Sequence, residues 1–134
     1  MVKEITTKSF KNEVIESSVP VLIECWASWC LPCKQIDPAL NLLAETYKDR
    51  CKILKINIDR NPVISRDYKV QGLPAFLLFV NGKEVDRKTG SQTDEQLQKL
   101  IEQALSESGK EGSSDSSKKE EDIIKDRLRD LGYM

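Results

Sequence analysis

Glu24-Cys25-Trp26-Ala27-Ser28-Trp29-Cys30-Leu31-Pro32-Cys33-Lys34 is the stretch whose reading decides the fold. It starts inside a continuous apolar run, Val19 to Trp26, interrupted by Glu24, which predicts a central strand covered on both faces. It ends in a segment where Ile36, Leu40, Leu43 and Tyr47 recur at helix spacing, so Cys33 to Tyr47 is predicted helical, with a kink at Pro38. Cys30 and Cys33 therefore stand where a buried strand gives way to a helix. Two thiols two residues apart on a first helical turn can close a small disulfide loop. Cys30 comes first, at the helix N-terminus, where unpaired N–H groups and the dipole favour a thiolate. A free thiol with a pKa of about 8.5 is roughly 3% ionised at pH 7; one near 7 is about half ionised, a difference of roughly 2 kcal/mol. Cys30 is the expected nucleophile, and Cys33, one turn deeper, the expected resolving thiol. Pro32 restricts the backbone between them.

Outward from this stretch, Thr7 to Glu16 reads as a first helix, with a short strand before it. Lys52 to Ile58 alternates apolar and polar residues and reads as a strand. Asn61-Pro62 caps and opens a short helix to about Tyr68. Phe76 to Val80 and Glu84 to Thr89 read as strands joined by Asn81-Gly82, a strong hairpin signal, and Gly90 ends the second. Thr93 and Gln96 form a capping box before a helix that gathers Leu97, Leu100, Ile101, Ala104 and Leu105 on one face. Strands separated by helices pair in parallel and the final hairpin is antiparallel. The expected fold is α/β, a central mixed sheet of four to five strands flanked by helices on both faces. Residues 1–107 form its domain. From 108 to 122 the chain holds only Ser, Gly, Lys, Glu and Asp, and is predicted to be a disordered polar linker spanning roughly 20 Å as a coil. Residues 123–134, with Ile124, Leu128 and Leu131 at helix spacing, are predicted to form a short amphipathic C-terminal helix.

The 134 residues suffice for one ordinary domain, and the net charge of -1 gives no reason to expect nucleic acid or an anionic membrane as partner. The absence of histidine removes Ser-His and Cys-His nucleophile pairs and His metal ligands. No metal site is expected. Four cysteines could frame a secreted disulfide scaffold, but the long apolar periodic segments are able to build a core instead. No apolar stretch of signal-peptide or membrane-spanning length is seen, so a cytoplasmic location and no membrane contact are expected. In a reducing compartment a Cys-x-x-Cys pair reads as redox or metal chemistry rather than as a staple. Cys25 and Cys51 read as small buried hydrophobes and Trp26 as core packing.

The quoted stretch resembles the active-site segment of the thioredoxin family, which usually has Gly-Pro between its cysteines. Pro38 is similar to the family's helix kink, Lys55-Ile56-Asn57-Ile58-Asp59 to its third-strand motif, and Gly72-Leu73-Pro74 to the segment carrying its cis-proline. Asn81-Gly82 and Gly90 match as well, so the resemblance covers residues 1 to about 107. It implies a thioredoxin fold and a cis Pro74 facing the cysteines. It also implies a docking surface of Trp29, Leu31, Pro32, Gly72, Leu73, Pro74 and Gly90, with the Leu73 backbone pairing an extended substrate peptide. Glu24 falls where bacterial thioredoxins carry a buried Asp and protein disulfide isomerase domains carry Glu; such a carboxyl can exchange a proton with Cys33. Lys55 matches the family's partner for that acid, and a Glu24–Lys55 contact is expected. Leu31 is the main departure, at a position that tunes the reduction potential.

The implied activity is dithiol–disulfide exchange reducing disulfide-containing proteins, by a monomer with no bound cofactor and with electrons from a thioredoxin reductase-type donor. A disulfide oxidase or isomerase, and a thioredoxin-fold binding module with incidental redox activity, are the competing readings.

Overall fold

The strand that leads into the cysteine pair is buried along its length. Val21, Leu22, Ile23, Glu24 and Cys25 are all at most 1% exposed. A strand buried on both faces requires neighbours on both edges and helices above and below. The computed structural model, which describes residues 2–113, supplies both. The elements are β1 (Lys3–Ile5), α1 (Thr7–Phe10) running into a π-helical turn (Lys11–Ile15), β2 (Val21–Trp26), α2 (Leu31–Gln35), α3 (Asp37–Thr46), β3 (Lys52–Asn57), α4 (Pro62–Asp67), β4 (Ala75–Val80), β5 (Lys83–Thr89) and α5 (Asp94–Ser113). The sheet order is β1-β3-β2-β4-β5, with β3 parallel to both β1 and β2, and β4 antiparallel to β2 and β5.

Side chains alternate across the sheet and build two cores. On one face Leu22, Ile53, Phe76 and Leu78 meet Leu40 and Leu43 of α3 and Leu97, Leu100, Ile101 and Ala104 of α5. On the other, Ile23, Leu54, Ile56, Leu77 and Phe79 meet Phe10, Val14 and Ile64. Phe10, Tyr68 and Phe79 pack ring against ring there at centroid distances of 5.4 to 5.8 Å.

The predicted helix from Cys33 to Tyr47 is two helices. Pro38 has no N–H to donate to the preceding turn, so the ladder stops at Gln35. Asp37 and Pro38 then open α3, at positions where no N–H is required. The first predicted helix ends in a π-turn, closed by the Glu16 N–H on the Lys11 carbonyl at 2.9 Å. The hairpin carries a bulge between Leu78 and Phe79. Helix α5 continues past residue 107, the predicted domain end, to Ser113. The rest of the predicted linker and the predicted helix 123–134 lie outside the described residues.

Candidate active site

Register brings four separate segments to one end of the sheet. Cys25 of β2 pairs with Ala75 of β4, and Ala75 with Thr89 of β5, while Trp26 pairs with Asn57 of β3. The loop 27–30 that follows β2, Gly72-Leu73-Pro74 before β4, Gly90 after β5 and Asp59 after β3 therefore emerge together. Topology alone makes neighbours of residues far apart in sequence.

Cys30 is the N-cap of α2, in extended conformation, and Cys33 lies in the helix's first turn. Their Cα atoms are 5.3 Å apart and the pair forms a disulfide. The Cys33 backbone N–H donates to Cys30 Sγ at 3.2 Å, so one of the helix's orphan donors already points at the sulfur that would carry a thiolate. Cys30 is 4% exposed and Cys33 2%, whereas the residues flanking Cys30 stand out of the surface: Trp29 is 69% exposed and Leu31 62%. The Trp29 indole N–H donates to Asp59 at 2.9 Å, which fixes the ring beside the cysteines. Pro32 is exposed on the first turn of α2.

The Leu73–Pro74 peptide bond is cis, as the resemblance implies, and Pro74 is buried. The Pro74 carbonyl accepts from the Gly90 N–H at 2.8 Å, tying the two loops together. A Cβ on Gly72 would meet the Thr89 methyl at 2.7 Å, so this segment lies tight against the end of β5. Arg87 holds the chain just before it, donating to the Tyr68 carbonyl at 2.7 Å while bound to Glu84.

Behind the surface, Glu24 is 1% exposed and neither carboxyl oxygen has a hydrogen-bond partner. Burial, aided by the Asp37 and Glu4 carboxyls and opposed by the Lys55 ammonium, pushes its pKa up to about 8. The expected Glu24–Lys55 contact is not made. Lys55 stands opposite Glu24 in the sheet, but its Nζ bonds Asp37 Oδ1 at 2.9 Å and lies 4.8 Å from the centre of the Trp26 ring. Asp37, half-buried at the start of α3, reaches the cation, while Glu24 is closed off beneath the surface. Trp26 is also not core: it is half-buried at the end of β2, its N–H on Glu4 at 3.0 Å. Cys25 and Cys51 are buried as expected, and burial pushes both thiols up to about 12, so neither is a nucleophile. Among the described residues no cluster of His, Cys, Asp or Glu is arranged to hold a metal. A cleft of about 700 Å³ opens beside Trp26 and Ser28, but neither cysteine nor the 72–74 segment lines it.

The thioredoxin family model matches residues 1–103. The thioredoxin of Rickettsia prowazekii is 40% identical over 105 residues, which is 78% of this chain and 100% of that protein. The thioredoxin of Porphyra purpurea is 36% identical over 105 residues, 78% of this chain and 98% of its own length. Thioredoxin 1 of Synechococcus elongatus is 39% identical over 87 residues, 65% and 81% of the two chains. The chain belongs to the thioredoxin family.

Family membership and a redox pair at a helix N-terminus together make it a thiol–disulfide oxidoreductase of the protein-disulfide reductase type. For a thioredoxin-family site, the residues missed by reading the sequence are Asp37 and Asp59. Asp37 carried a signal: in a single helix over Cys33 to Tyr47, as predicted, it would stand one turn after Cys33 on the same side. Asp59 ends the third-strand motif, yet nothing local says that an indole N–H would reach it.

Proposed function

We propose that this chain reduces protein disulfides in the cytoplasm as a monomer. It would draw electrons from a thioredoxin reductase-type donor and use no bound cofactor. The observation that carries the reading is the Cys30–Cys33 disulfide at the start of α2, with Cys30 Sγ accepting the Cys33 N–H. In the reduced enzyme the Cys30 thiolate attacks one sulfur of a substrate disulfide. That bond breaks, its electron pair leaves on the other substrate sulfur, and a mixed disulfide forms at Cys30. Glu24 accepts the Cys33 proton, and the Cys33 thiolate attacks Cys30 Sγ, releasing the second substrate thiol. Ile36 packs on the core face that holds Leu22, two residues before Glu24 on β2, and Cys33 is three residues before Ile36. That spacing supports Cys33 lying on the Glu24 side of α2.

Exposed Trp29 and Leu31, with Pro32, Gly72, Leu73, Pro74 and Gly90, form the docking surface in this reading. An extended peptide would pair with the Leu73 backbone. Such a surface selects little by sequence, in keeping with a general role in electron transport and redox homeostasis.

The reduction potential of Cys30–Cys33, followed by tryptophan fluorescence in a dithiothreitol buffer, tests the reading. A value near about -270 mV is expected despite Leu31, whereas one near about -180 mV would turn the enzyme into an oxidant or isomerase. Cys33→Ser is expected to accumulate the mixed disulfide with a substrate protein, and Cys30→Ser to abolish turnover. Turnover surviving in Cys30→Ser would remove the catalytic assignment.

A further inference from the structure

The sheet sets three ionisable residues in one row. Glu4 of β1 pairs with Lys55 of β3, and Lys55 with Glu24 of β2. Residues opposed on neighbouring strands share a face. One ammonium thus stands between two carboxyls, and a third, Asp37, reaches it from the first turn of α3. The three are unequal competitors. Glu4 already accepts the Trp26 N–H at 3.0 Å. Asp37 is 40% exposed, begins a ten-residue helix and bonds the Lys55 ammonium at 2.9 Å. Glu24 is closed off from solvent, and neither of its oxygens has a hydrogen-bond partner. An ionised Asp37 on Lys55 with a neutral Glu24 is the arrangement that buries the least charge.

We propose that Asp37 is a positioning residue for the redox step: its carboxylate draws the Lys55 ammonium to the start of α3 and withholds from Glu24 the counter-ion opposite it in the sheet. The inference rests on the reading of Glu24 as proton carrier for Cys33. Withholding the cation keeps Glu24 protonated at neutral pH in the oxidised enzyme. When a dithiol donor attacks Cys30 Sγ, the Cys30–Cys33 bond breaks and its electron pair leaves on Cys33 Sγ. The Glu24 proton neutralises that sulfur, leaving a carboxylate. In substrate reduction the same proton returns to Glu24. A Lys55 bound directly to Glu24 would hold it ionised, with no proton to give. The charged groups that act on Glu24 are Lys55 from β3, Asp37 from α3 and Glu4 from β1, so its titration reports the placement of the ammonium.

Asp37→Asn preserves size and frees Lys55. The Glu24 side-chain carboxyl is followed by carbon NMR through a pH titration of the oxidised protein. The pH profile of its reduction by dithiothreitol is measured beside it. The Glu24 midpoint is expected to fall by about one pH unit or more, a tenfold change in its charge ratio per unit, and Asp37→Glu to restore it. In a Lys55→Met background the same Asp37→Asn change is expected to move the midpoint much less, because there is no ammonium to release. A midpoint unmoved by Asp37→Asn, or moved equally without Lys55, overturns the proposal. A midpoint that falls while the rate profile stays in place upholds the placement of Lys55 and removes the proton-carrier role of Glu24 instead.

Discussion

At the scale of single residues, Glu24 links stability to catalysis. The folded protein holds its proton to about pH 8, while the ordinary glutamate value is 4.5. Between those values the folded state binds more protons than the unfolded one, so stability falls as pH rises. The favourable contribution is fully present below pH 4.5 and lost by about pH 8. Glu4, also raised by burial, acts in the same direction. Glu24→Leu is therefore expected to gain little at pH 4 and most at pH 8.5, at most about 5 kcal/mol and about half that once the site relaxes around the charge. Urea melts of both proteins across this range check it; parallel stability profiles would mean that Glu24 ionises freely in the fold. The cysteines differ at the same scale. Cys25 and Cys51 are thiols held neutral by burial, while Cys30 meets a backbone donor at a helix start.

At the scale of elements, the turns are specified by backbone geometry and by what surrounds it. Gly82 has φ +81°, and a Cβ there would stand 2.6 Å from the Ile15 carbonyl oxygen, a backbone atom unable to step aside. Gly90 has φ +93° with nothing within 4 Å of a Cβ. Alanine at Gly90 is expected to cost about 1 kcal/mol of left-handed strain. At Gly82 the same strain adds to a clash, for about 2 kcal/mol or more and a fall in Tm of roughly 8 °C or more. Thermal melts of the two variants separate strain from contact, and equal losses would show that the Ile15 carbonyl yields. The sequence marked both glycines as turn residues. Gly72 was marked only through the resemblance, as part of the segment before Pro74; its φ is not positive, and its constraint is the Thr89 methyl. The α2–α3 break was legible as Pro38, but its place at Ile36 depended on which N–H the proline removed.

At the scale of the whole molecule, α5 completes the core with Leu97, Leu100, Ile101 and Ala104, and the family match ends at residue 103. The Rickettsia relative is matched over its full length by 105 residues of this chain. A chain ending at Ser113 is expected to unfold at the Tm of the full chain within about 2 °C and to reduce a disulfide protein at an unchanged rate, since core burial dominates stability. Melting and turnover assays of the two chains check this. A slower or less stable short chain would give residues 114–134 a part in the domain.

The sequence by itself determined the order and type of nearly every element, because periodicity, caps and turn chemistry act over a few residues. It also determined the redox pair, since a Cys-x-x-Cys at a strand-to-helix junction is a local arrangement. Tertiary structure decided where the charges go. Lys55 has Glu4 and Glu24 beside it in the sheet and Asp37 above, and a chain read in order ranks none of them. Tertiary structure likewise moved Trp26 from the expected core to the rim, where β2 ends and Glu4 of the edge strand meets its N–H. Partner choice depends on burial and reach in three dimensions, and these exist only once the strands have paired.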